Sequence, residues 1–133
     1  MIKNICDEVG YWSEIKLDII KDYAQAYTNI LSKQPLLKFS YIDAFAGSGV
    51  HLAKSSGEFI PGSPLNALAV KPPFHEFHLI DINQDKADNL RILSKDYSNV
   101  VIYDGDCNQV LRDKVFPTMR YEDYRRSLCI LDP

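Results

Sequence analysis

Apolar residues recur at steps of three and four between Tyr11 and Leu31, at Trp12, Ile15, Ile19, Tyr23, Ala26, Tyr27 and Ile30. That is the helical period, and it predicts an amphipathic N-terminal helix over 11–34 with this stripe, Trp12 included, packed on the core. A share of the stripe is free to line a ligand pocket. Ser13 before Glu14 reads as the N-cap, and Pro35 closes the segment because proline cannot continue a helix.

Beyond Pro35 the period changes. Phe39 to Phe45 is a short β-rich run that enters the glycine turn AGSG. Residues 50–62, with Gly57, Pro61 and Gly62, read as an irregular excursion. Ser63-Pro64 is a helix start, Ser as N-cap and Pro at the first helical position, and this helix is expected to reach about Val70, before Pro72-Pro73. Glu76 to Ile82 reads as a second strand, Asn83 or Gln84 to Lys95 as a helix with Ala87, Leu90 and Leu93 on one face, and Asn99 to Tyr103 as a third strand. Asp106 to Val115 follows as a short helix and Ser127 to Leu131 as a fourth strand, before the final Asp132-Pro133.

Strands that alternate with helices imply right-handed crossovers and a parallel sheet. The strands are continuously apolar rather than alternating, as expected where both sheet faces are covered. The expectation is a single α/β domain over 1–133, with an αβ core from 36 onward. Ligands of such sheets bind at the carboxyl ends of the strands, which directs attention to the residues after Phe45, Ile80, Tyr103 and Leu131.

Composition narrows the picture only slightly. The chain has 133 residues, 46% hydrophobic and 25% charged, ordinary values for one globular domain. The net charge of −3 argues against a self-sufficient nucleic-acid binder, because phosphate affinity needs clustered Lys and Arg. Arg120, Arg125 and Arg126 are diluted by Glu122 and Asp123 and read as a solvated loop. Cys6, Cys107 and Cys129 form neither a disulfide framework nor a zinc spacing, and Cys129 reads as a small buried apolar residue. No secretory signal or membrane-spanning run is visible, so a reducing cytoplasm is the expected compartment. His51 reads as a surface residue within reach of a substrate. His75 and His78 lack metalloprotease spacing and read as strand-flanking. No metal site is expected.

Each predicted strand ends in a polar group of a useful type. The first is followed by Asp43-Ala-Phe45-Ala-Gly47-Ser-Gly49, where glycines permit close ligand approach and Asp43 suits a positive group. Asp81 follows the second, placed to accept from both hydroxyls of a ribose. Gly105-Asp106 follows the third, suited to a flat ring with an exocyclic amine, and Asp132-Pro133 follows the fourth. Leu52 stands where GxGxxG needs its third glycine, and no GxxxxGK[ST] is present, so a dinucleotide is disfavoured and a P-loop excluded. A ligand with a ribose, an adenine and an amino-acid tail suits the set better, and S-adenosylmethionine is such a ligand.

These stretches also carry a resemblance. YIDAFAGSG resembles the first motif of class I methyltransferases, HLIDIN the second, YDGDC the third and LDP the start of the fourth. With VGYWSEIKLDII, GSPLNAL and CILDP, nearly the whole chain is similar to the N-terminal part of the three-Cys-motif partner proteins. The resemblance implies a Rossmann-like class I methyltransferase fold, S-adenosyl-L-methionine as cofactor and a partner protein carrying a three-cysteine motif. It implies that Asp43, Gly47 and Gly49 hold the methionine end, Asp81 the ribose and Asp106 the adenine amine. Phe45 and Cys107, inside the first and third motifs, join the cofactor-binding set. Asp132 and Pro133 begin the catalytic motif, where they accept hydrogens from an amine substrate.

Family members continue past LDP into an aromatic or glycine-containing motif and further strands. The chain is therefore expected to be truncated after the fourth strand, to lack the C-terminal half, and to bind cofactor with weak or no turnover. The fourth strand is then an apolar sheet edge, a template for a homo-oligomer. The competing readings are a non-catalytic interaction module that acts with the three-cysteine-motif partner, and a dehydrogenase relic disfavoured by Leu52.

Overall fold

The computed structural model describes residues 7–53 and 56–133, so Cys6 lies outside the described residues. A strand β1 (Asp7–Val9) leads into helix α1 (Tyr11–Leu31), β2 (Lys38–Asp43), β3 (Val50–Ala53), β4 (Phe59–Pro61) and helix α2 (Ser63–Leu68). Then come β5 (Glu76–Asp81), α3 (Gln84–Leu93), β6 (Val100–Asp104), the short α4 (Cys107–Val110) and β7 (Arg125–Ile130). The four long strands form a parallel sheet in the order β6-β5-β2-β7. The fold is thus α/β with a parallel sheet, as the alternation of elements predicts.

Both sheet faces are covered over the central strands β2 and β5, which explains their apolar runs. On one face Phe39 and Tyr41 of β2 meet Phe77 and Leu79 of β5, Ala24 of α1, Ala67 of α2 and Leu90 of α3. Phe74 sits at the hub of this layer, with rings of Tyr27, Phe39, Tyr41 and Phe77 around it at 5.4–6.0 Å. On the other face Ile42 and Ile80 meet Val110, Leu111 and Val115, with Cys107 and Cys129 packed at the margin. Cys129 is half-buried there.

Several expectations need correction. The stripe predicted to face the core mostly faces solvent: Trp12 is 79% exposed, and Ile19, Tyr23, Ala26 and Ile30 are exposed too. The packed face is Ala24, Tyr27, Thr28 and Leu31, where Ala24 and Thr28 are small enough for close approach. Apolar residues lie on both sides of α1, so period alone could not choose between them. Its cap is Gly10, whose carbonyl accepts from Glu14 N–H, and Ser13 falls within the first turn.

The described residues of 50–62 are not irregular. β3 and β4 form an antiparallel hairpin around Gly57, and β1 adds in parallel to β3. Gly62, not Ser63, caps α2, which frees the Ser63 hydroxyl for another partner. The helix expected over Asp106–Val115 is α4 followed by a π turn (Leu111–Val115), and two 3-10 turns, Phe116–Thr118 and Tyr121–Asp123, come after it. His78 does not flank a strand. It lies buried within β5, with Nδ1 2.9 Å from the Tyr103 hydroxyl and Nε2 3.2 Å from Glu76 Oε1. His75 does precede β5, and its Nδ1 accepts from Phe39 N–H. The arginines expected in a solvated loop are engaged, and Arg125 and Arg126 open β7: Arg126 lies 4.0 Å over the Tyr121 ring, Arg125 pairs with Glu76, and Arg120 with Glu122. No helix among the described residues is long and apolar enough to cross a membrane.

Candidate functional site

The carboxyl ends of β2, β5 and β7 converge on a cleft of about 510 Å³. Its floor is built by backbone that continues the sheet. Ala44 N–H donates to Ile130 O, and Ala46 N–H donates to Ile80 O, so the turn after β2 is held between the two neighbouring strand ends. Helix α1 forms the opposite wall with Ser13, Lys16, Leu17 and Ile20, and Lys86 of α3 stands on a further rim.

Asp43 ends β2 and is 1% exposed. A buried carboxylate needs hydrogen bonds, and it has three. Its Oδ2 accepts from the Tyr41 hydroxyl at 2.9 Å and the Ser63 hydroxyl at 2.5 Å, and its Oδ1 from Phe45 N–H at 3.2 Å. Burial raises its pKa above the usual carboxylate range, the donated hydrogen bonds pull the other way, and the nearby charge of Asp132 adds to the rise. The Tyr41 hydroxyl is pushed well above its ordinary value, by burial first and by the charge of Asp43 next.

Asp81 ends β5 and ties the glycine turn down. Its Oδ2 accepts from Gly47 N–H and its Oδ1 from Asn83 N–H, both at 2.9 Å. A carboxylate has about four acceptor sites, so lone pairs remain for a ligand hydroxyl. Gly47 holds φ at +75°, and a Cβ there would meet no atom within 4 Å. Its backbone therefore borders open cleft. Gly49 differs: φ is +98°, and a Cβ would lie 2.8 Å from Leu93 Cδ1 and 3.1 Å from Leu90 Cδ2. Its want of a side chain lets α3 pack against the turn.

Asp43, Phe45, Gly47, Asp81, Asp132 and Pro133 are thus brought to one cleft. Gly49, Asp106 and Cys107 are not on its wall. The Asp106 carboxylate accepts from Gln109 N–H and caps α4, and Cys107 packs against the cluster of Ile42, Ile80 and Val110. Asp132 is paired with Lys16, Nζ to Oδ1 at 3.0 Å.

Sequence reasoning missed the α1 wall, the Ser63 partner of Asp43 and Lys86. One signal was available for the first. Ser13, Lys16, Leu17 and Ile20 follow the i, i+3, i+4, i+7 spacing of a second helix stripe. His51 does line the cleft, packed against Gly62 where a Cβ would meet its Nε2 at 2.9 Å. No protein-family model matches the chain, and no curated protein matches it.

Proposed function

We propose that the chain carries the cofactor-binding site of an S-adenosylmethionine-dependent methyltransferase with a Rossmann-like class I fold. The observation that carries this reading is Asp81, a carboxylate at the end of β5 that holds the glycine turn by the Gly47 N–H beside an open cleft. The cleft is of small-molecule size, within the roughly 300–1,000 Å³ of known ligand pockets. The open space at Gly47 lets a ligand meet the backbone. Asp132, on the cleft wall, already holds the Lys16 ammonium and suits a cationic ligand.

In this reading Asp81 accepts from ribose hydroxyls, and the Asp43–Gly47 turn receives the methionine end. Asp106 takes the adenine amine by motif match alone, since its carboxylate caps α4 and is not on the cleft wall. The cofactor supplies a methyl group already activated on a sulfonium, so the chain's own task is alignment. Asp132 and the Pro133 carbonyl would orient an acceptor amine by accepting its hydrogens.

Calorimetric titration with S-adenosylmethionine tests the reading. The expected result is a dissociation constant on the order of micromolar. Asp81→Ala is expected to weaken it at least about tenfold, the cost of lost hydrogen bonds to a charged group. Circular dichroism on the same samples checks that both chains are folded. A folded chain that takes up no cofactor at millimolar concentration would sink the proposal.

A second reading is a non-catalytic interaction module acting with a three-cysteine-motif partner. The exposed face of α1, with Trp12, Ile19, Tyr23 and Ile30, favours it. Under this reading the chain forms a stable complex and has no cofactor affinity.

A further inference from the structure

Lys16 has no part in the cofactor reading, yet its ammonium stands inside the cleft. It projects from the second turn of α1, and its Nζ lies 3.0 Å from Asp132 Oδ1, bridging segments 116 residues apart. Both partners stay open to water, with side chains 54% and 39% exposed. An ion pair this exposed is weak and exchanges readily with another cation. Asp43 lies on the same wall as Asp132 with its carboxylate fully buried, and the two interact unfavourably when both are ionised. The chain thus fills, with its own side chain, a position suited to a cation.

We propose that Lys16 is a tethered place-holder, occupying on Asp132 the position of an incoming ligand's primary amine, and that α1 must release it before that amine enters. The ligand class is a primary amine or ammonium on a flexible aliphatic stem, the chemistry that Lys16 itself presents. While held as an ammonium, Lys16 has no free lone pair, so it occupies the position without being a nucleophile. Lys16 is a positioning residue: it sets the affinity of Asp132 for competing amines. Its use in methyl transfer rests on the function proposed above, but exchange at Asp132 requires no cofactor.

The experiment follows binding of n-butylammonium by amide chemical shifts around Asp132, with n-butanol as the uncharged control. Lys16→Gln removes the competitor and is expected to bind the probe about two- to sixfold more tightly than the parent chain, the gain from releasing a weak exposed pair. Lys16→Arg keeps the charge and is expected to behave like the parent. Asp132→Asn is expected to lose probe binding, and butanol to show no gain in any variant. The inference is overturned if Lys16→Gln binds no more tightly, if Lys16→Arg matches Lys16→Gln, if Asp132→Asn binds as well as the parent, or if butanol shows the same gain. S-adenosylmethionine is titrated separately into the same chains. Its failure to bind counts against the cofactor reading alone, because the amine arm is read without it.

Discussion

Asp43 carries a carboxyl group into the core with three donors around it, and burial still raises its pKa. Folding therefore favours its protonated form. The stability that it contributes is present below the unfolded carboxylate value of about 3.9 and is lost as pH rises through the raised folded value. Denaturant midpoints measured across that window should fall with rising pH relative to those of Asp43→Asn, which does not titrate. The two glycines of the turn separate at the same scale. Gly47→Ala strains a left-handed backbone in open space, at a cost of about 1–2 kcal/mol. Gly49→Ala also drives a methyl into Leu93 and Leu90, and should cost about 1 kcal/mol more. Urea unfolding of both variants checks the order.

Helix α1 shows why an element's face is settled by its neighbours. Its buried side is defined by Ala24 and Thr28, residues of little apolar weight that a hydrophobic pattern underrates. The side with Trp12, Tyr23 and Ile30 is richer in large apolar groups and yet faces water. Two substitutions test this packing by urea unfolding. Trp12→Ala should change stability by less than about 0.5 kcal/mol, as for an exposed surface position. Phe74→Ala empties the centre of an aromatic cluster and should cost about 3–5 kcal/mol.

The whole sheet is asymmetric in its support. β2 is paired on both sides, to β5 and β7, and β5 to β2 and β6, whereas β6 and β7 each have one neighbour in that sheet. Local opening is easiest where few contacts must break. Amide hydrogen exchange should therefore be slowest in β2 and β5 and faster in β6 and β7. A second copy pairing along β7 would raise β7 protection as protein concentration rises, and sedimentation velocity over the same range checks that association.

The sequence by itself determined the order of the four long strands and the helices between them, the parallel sheet and the approximate positions of the strand ends. Those features rest on local period, on proline and glycine punctuation and on the chirality of crossovers, all of which act over short stretches of chain. It also marked Asp43, Gly47, Asp81 and Asp132, because polar groups at the ends of apolar strands are visible in one dimension. Only the tertiary structure decided which side of α1 is buried, that β3 and β4 pair as a hairpin, and that Ser63 turns from capping a helix to holding Asp43. It alone brought Lys16 to Asp132. Contacts between residues so far apart in the chain depend on how helices dock on a sheet, and docking is chosen by shape and close packing that no local pattern encodes.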